Sequence, residues 1–202
     1  MTEASTIAPR VDHAFLVMLV ASTVLTLTLF ALVTWFSIRF HESRDTDRSN
    51  PPVENPKLEV AWTSALTLAF LACFFWGASV YAAMRALPLR NDTLRIDALA
   101  KQWVWKFQHP TGRREIDRLT VPLGRPVVVR LHSDDVIHSF YVPAFRLKGD
   151  AVPGRDTTLW FEATELGEFR LACAEYCGTS HARMEGVVEV VPPEDYDRWA
   201  AQ

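Results

Sequence analysis

Two long stretches without a single charge, Ala14 to Ile38 and Val60 to Met84, constrain this chain more than any other feature. About 20 apolar residues in a helix cross the roughly 30 Å hydrocarbon core of a bilayer, and each stretch is long enough to do so. A helix in a soluble core ordinarily keeps a polar face, whereas Leu16 to Phe36 offers only Ser and Thr. A cleaved signal peptide competes for the first stretch, because Arg10 precedes it and Val20-Ala21-Ser22 could mimic a cleavage site. The uninterrupted apolar length and the second stretch favour retention. The expected arrangement is a short polar lead over 1–13, then a two-helix transmembrane hairpin with helices over 14–38 and 58–86.

The joining segment, 39–57, contains Pro51-Pro52 and Asn55-Pro56, neither of which can continue a helix. It carries Arg39, Arg44, Arg48 and Lys57, while Arg85, Arg90 and Arg95 follow the second span. Short loops count for more than long domains in the positive-inside rule. The loop is therefore expected in the cytoplasm, with both termini outside. Glu59 stands at the start of the second helix, where an acid is favoured by the helix dipole.

Beyond Pro88 the pattern changes to short alternating or β-branched runs, such as Leu94-Arg95-Ile96-Asp97-Ala98 and Val127-Val128-Val129, separated by Gly and Pro bends. Residues 87–202 are expected to form an antiparallel sandwich or barrel, with a short acidic helical tail after Pro192-Pro193. From Arg85 onward, sixteen Lys and Arg face seventeen Asp and Glu, so this domain has no nucleic-acid signature. Cys73, within the second apolar span, is a packing residue.

The chemistry is concentrated between Cys173 and Met184, in C-A-E-Y-C-G-T-S-H-A-R-M. Two thiols, an imidazole and a thioether suit copper, whereas magnesium and calcium prefer oxygen and structural zinc rarely takes methionine. A Cys173–Cys177 disulfide is the plain alternative outside the cytoplasm. A single blue-copper site needs one cysteine and two histidines, so here there is one thiolate too many. Two bridging thiolates describe a dinuclear copper centre, which needs another histidine upstream. His138, in D-V-I-H-S-F-Y-V-P, is the best candidate, with His132 and His109 competing from more polar settings.

With these motifs assembled, the chain resembles subunit II of cytochrome c oxidase, the subunit of A-type heme-copper oxidases that carries the dinuclear CuA centre. The stretches D-V-I-H-S-F-Y-V-P-A-F, K-G-D-A-V-P-G-R and C-A-E-Y-C-G-T-S-H-A-R-M carry the likeness, in that order. The resemblance implies a helical hairpin followed by an all-β cupredoxin-like Greek-key barrel. It implies that Cys173 and Cys177 bridge two coppers, with His138 and Met184 completing one set and His181 and the Glu175 carbonyl the other. The Glu175 side chain would help hold a magnesium or manganese ion shared with subunit I. Trp103, in Q-W-V-W-K-F, matches the aromatic that receives electrons from cytochrome c, with Trp105 packing or lying on the electron's route. Glu59, with Trp62 in an E-x-x-W pattern, matches an acid at the mouth of a proton path into subunit I. Subunits I and III and membrane lipid are the implied partners. The implied setting is the bacterial inner membrane or an equivalent respiratory membrane, with the copper domain on its outer face. The implied reaction is reduction of O2 to water with proton pumping, the oxygen chemistry lying outside this chain.

Two features depart from the family pattern. Where relatives continue with acidic and aromatic residues, this chain has Lys106, Gln108, His109, Arg113 and Arg114, which puts a strongly basic cytochrome c in doubt as donor. Asp134, Asp135 and Asp150 could still supply a negative patch. No C-x-x-C-H heme attachment sequence occurs, so no fused cytochrome domain is expected. A copper subunit of a nitric oxide reductase and a membrane-anchored copper chaperone are the competing functions.

Overall fold

The computed structural model describes residues 2–45, 49, 54–88 and 90–202. Two compact units emerge: Asp12–Val80, and Met1–Val11 together with Tyr81–Gln202. The first contains most of α1 (Ala8–Arg39) and α2 (Pro56–Arg85), both long and apolar enough to cross a membrane. Neither buries its apolar window, and Phe30 and Phe70 are about seven-tenths exposed, which water would not tolerate over such lengths. Asn55 caps α2, its Oδ1 accepting from the Leu58 N–H at 3.2 Å, and Pro56 takes the first helical position. Thus Asn55-Pro56 starts a helix as well as interrupting the preceding one. Pro51-Pro52 and Arg48 lie outside the described residues.

The polar lead has a structural task that composition did not suggest. Ala4, Ser5, Ile7 and Ala8 are buried within the second unit. The Ala4 N–H donates to the Ala144 carbonyl (3.0 Å), the Thr164 N–H to the Ala4 carbonyl (3.1 Å), and the Ser5 hydroxyl to the Phe145 carbonyl (2.9 Å). The helix begins at Ala8, earlier than the charge-free run suggested, because the preceding residues are already anchored.

Among the described residues, ten strands form the β-domain: β1 (Leu94–Lys101), β2 (Val104–Gln108), β3 (Arg114–Ile116), β4 (Arg118–Pro122), β5 (Pro126–Ser133), β6 (His138–Val142), β7 (Leu147–Ala151), β8 (Thr157–Glu162), β9 (Gly167–Cys173) and β10 (Glu185–Val191). One sheet has the order β3-β2-β1-β5-β8 and the other β4-β10-β9-β6-β7. The domain is a two-sheet, cupredoxin-like sandwich. Ile96, Trp105, Phe107 and Leu131 from one sheet and Phe140, Leu171 and Val188 from the other are buried in its core. The expected antiparallel pairing holds for most neighbours, but β1–β5 and β4–β10 run parallel. Side-chain alternation has period two in either direction, so it cannot reveal strand polarity. Gly186 lets β10 pass Asp117 closely: a Cβ there would lie 2.6 Å from the Asp117 carbonyl oxygen.

The tail forms α3 (Pro193–Ala200) and is locked down by a buried polar network. His109 Nδ1 lies 2.9 Å from the Tyr196 hydroxyl, and Nε2 lies 2.8 Å from Glu115 Oε2. Glu115 also accepts from the Thr120 N–H and hydroxyl. Burial pushes this carboxyl up, but the His109 and Thr120 hydrogen bonds outweigh it and hold Glu115 below its ordinary value of 4.5. Its stabilisation is therefore present above the unfolded-state value and lost as pH falls through the folded-state value. Glu115→Gln is expected to cost about 1–3 kcal/mol at pH 7, the scale for impairing a buried charged hydrogen bond. Urea unfolding of the detergent-solubilised chain should show that gap closing as pH falls below 4.5.

Candidate metal centre

The loops at one end of the sandwich bring six donors together. His138 opens β6, Cys173 closes β9, Cys177 lies in the following loop, His181 opens a short 3-10 turn, and Met184 immediately precedes β10. The two sulfurs lie 3.7 Å apart, beyond the roughly 2.05 Å of a disulfide, and both cysteines are free thiols. His138 Nδ1 is 3.9 Å from Cys173 Sγ, and the Cys173 thiol donates to the Glu175 carbonyl at 3.3 Å. On the other side, Cys177 Sγ lies 3.6 Å from His181 Nδ1 and 3.9 Å from Met184 Sδ. His138, Cys173, Cys177 and Met184 are buried, Met184 being 1% exposed, while His181 is partly buried. Burial first, then the neighbouring Cys173, pushes the Cys177 thiol up to about 12, so a cation must displace its proton.

Asp135 orients the histidine. Its Oδ1 lies 2.8 Å from His138 Nε2, which leaves Nδ1 directed at the sulfurs. Burial raises the Asp135 carboxyl, but the Gln102 N–H, His138 ring and Val136 N–H together bring it to about 2. The same acid thus ties the β1–β2 turn to the centre. In that turn, Gln102 Nε2 and Trp103 Nε1 both donate to the Cys177 carbonyl, at 2.8 and 3.3 Å. Trp103 is 38% exposed. Gly178 (φ +118) makes room for it, since a Cβ there would lie 3.3 Å from the indole ring and 3.0 Å from Gln102 Nε2.

A family model described as cytochrome C oxidase subunit II, periplasmic domain, matches residues 110–191. A cytochrome c oxidase subunit 2 from Synechocystis sp. is 30% identical over 98% of this chain and 74% of its own length. The chain belongs to the cytochrome c oxidase subunit II family. As such it is a membrane-anchored subunit. The solved periplasmic domain of subunit II of cytochrome oxidase from Bradyrhizobium japonicum is 32% identical, with TM-score 0.54, covering 57% of this chain and 95% of that one. A second solved subunit II is a mixed disulfide with a thioredoxin-like protein; it is 30% identical, with TM-score 0.50, covering 58% of this chain and 93% of that one.

Within this subunit II, the structure separates the competing histidines. His109 is spent on the tail, and His132 lies 3.2 Å from Asp156, leaving His138 beside the thiols. Glu175 turns its carbonyl toward Cys173, while its carboxylate is half-exposed and 3.9 Å from Lys148. Trp105 is fully buried, edge-on to His138 and Phe140. Glu59 lies in the first turn of α2 and is exposed. Asp135 and Gln102 were not singled out as site residues from sequence. The only local sign was Asp135 three positions before His138, which gave no hint that its carboxylate points inward.

The donors fit copper better than the alternatives. Two thiols, two imidazoles and a thioether form a soft set with one more sulfur than a blue-copper site uses. Six donors, the two thiols and the Glu175 carbonyl among them, exceed the four of a structural zinc site.

Proposed function

We propose that this subunit II accepts single electrons from cytochrome c or another periplasmic donor at Trp103. It would hold them at a dinuclear CuA centre and pass them to heme in subunit I of an oxidase that reduces O2 to water and pumps protons. The observation carrying this reading is the direct connection of an exposed indole to a ligand: Trp103 Nε1 donates to the backbone carbonyl of Cys177. His138, Met184, His181 and the Glu175 carbonyl would complete the copper sets around Cys173 and Cys177. Held by these residues, copper would supply one-electron chemistry, and the ordered donor set would keep rearrangement on each transfer small.

The protein's own part is positional. Asp135 keeps one proton on His138 Nε2 and Nδ1 free, burial excludes water, and Gln102 with Trp103 holds the Cys177 backbone. The exposed Glu175 carboxylate is the group offered to a magnesium or manganese ion shared with subunit I. Glu59, on the first turn of α2, is the proposed mouth of a proton path. Subunit III is a further proposed neighbour. The hairpin would sit in the bacterial inner membrane or its equivalent, with the β-domain on the outer face. The mixed disulfide of a related subunit II supports a thioredoxin-like reductant for this chain too: its two thiols would become a disulfide as a Cys173–Cys177 disulfide becomes two thiols.

Electron paramagnetic resonance of the copper-loaded full chain in detergent tests the reading. Hyperfine structure from one electron shared equally by two coppers is expected, and a single-copper pattern or no uptake would refute it. Trp103→Ala should leave that spectrum intact while slowing reduction by a cytochrome c at least tenfold, measured by rapid mixing.

A further inference from the structure

The acids around Trp103 are nearly all engaged by a partner. Asp135 is held by Gln102 and His138, Asp117 accepts the Trp105 N–H at 2.8 Å, and Asp97 pairs with Arg130 at 2.7 Å. Glu185 is ion-paired to Arg170, and Glu175 lies 3.9 Å from Lys148. Asp150, another acid suggested for a negative patch, accepts from the Ser139 hydroxyl and neighbours Lys148. The side chains of Lys101, Lys106, Arg114 and Arg183 are exposed and make no ion pair or hydrogen bond among the described residues. Asp134 is the one nearby acid in that condition, so the rim carries four unspent cations against one unspent anion.

These cations lie within reach of one docked protein. A standard interface covers about 800 Å² per partner, a disc of roughly 16 Å radius. Lys106 is three residues along β2 from Trp103, about 10 Å at strand rise. Ile116 is its cross-strand partner, and Arg114 pairs with Gln108 at the same edge. Lys106, Ile116 and Arg114 line a cleft of about 760 Å³ on this sheet face, where Ile116 is 66% exposed; the acids in the same lining are engaged, Asp97 and Asp156 by Arg130 and Glu115 by His109. The footprint is an exposed indole and an isoleucine within a cationic rim.

We infer that the electron donor docks on this face through an acidic surface of its own, the partner being a small redox protein of negative rather than positive surface charge. The inference rests on Trp103 as the point of electron entry: the donor's ferrous heme would become ferric as one electron passes by way of the indole to oxidised copper held by the thiols and histidines, which would be reduced by that one electron. Calorimetric titration of the full chain in neutral detergent, with and without copper, uses oxidised cytochromes c of acidic and of basic surface charge. The acidic protein should bind, with affinity falling steeply as salt rises. Lys106→Glu combined with Arg114→Glu should weaken that binding at least tenfold and leave the copper spectrum unchanged. Preference for the basic cytochrome, binding of neither, or an unaffected double variant would overturn the inference. A ferrous acidic cytochrome that binds the copper-loaded chain without being oxidised would instead overturn the electron-accepting role, and with it the donor assignment. Oxidation of the ferrous basic cytochrome alone would leave that role intact and reverse only the polarity.

Discussion

Cys177→Ser should abolish the two-copper signal altogether, even where some copper remains bound. Cys177 is the hub of the cluster, its sulfur lying 3.7 Å from Cys173 Sγ, 3.6 Å from His181 Nδ1 and 3.9 Å from Met184 Sδ. A serine hydroxyl is a hard, weakly acidic donor that cannot bridge two soft metals as a thiolate does. One cysteine then remains, and the set contracts toward a single-copper site. Paramagnetic resonance and the copper-to-protein ratio measure this directly; equal hyperfine coupling to two coppers in the variant would refute the bridging role. Met184→Leu provides the graded contrast. Its side chain is 1% exposed and similar in volume to leucine, so the fold should persist. Loss of a weak thioether should alter the spectrum without removing the sharing of charge.

Trp105→Ala should have the largest effect on stability, about 3–5 kcal/mol, the scale for truncating a large aromatic in a packed core. The ring is fully buried, 5.7 Å edge-on from Phe140 and 6.3 Å from His138, so the change opens a cavity directly behind the ligand. Trp105→Phe should cost much less, because the indole Nε1 is buried without a hydrogen-bond partner among the described residues. Replacing it removes a desolvated donor along with some contact area. Urea unfolding of the full chain in detergent, followed through the β-domain, discriminates the two. Similar losses for Ala and Phe would mean that the indole edge contributes something beyond packing.

The charge departure noted in the sequence divides in two once the side chains are placed. His109 and Arg113 serve the tail: His109 through Tyr196 and Glu115, Arg113 through the Trp199 carbonyl at 2.9 Å and the indole face at 4.3 Å. Lys106 and Arg114 remain at the surface and define the docking face. The negative patch suggested by Asp134, Asp135 and Asp150 is mostly spent, since only Asp134 lacks a side-chain partner among the described residues. A residue's charge is legible in sequence, but whether it faces solvent or a neighbour is not.

The sequence alone determined the two apolar helices, the change to β structure after Pro88 and four of the six candidate metal donors. Each of these is a local property: an uncharged run of bilayer length, an alternation of period two, and soft ligands crowded between Cys173 and Met184. The tertiary structure decided what depends on residues far apart in the chain. It placed His138 beside Cys173 and set His109 aside, although the sequence offered both as candidates. It folded the leading residues onto Ala144, Phe145 and Thr164, and it chose parallel pairing for β1–β5 and β4–β10. It also directed the Asp135 carboxylate to the histidine and the Trp103 N–H to the Cys177 carbonyl, 74 positions away. Such contacts are set by how two sheets pack and where their loops meet, and no window of sequence contains both partners.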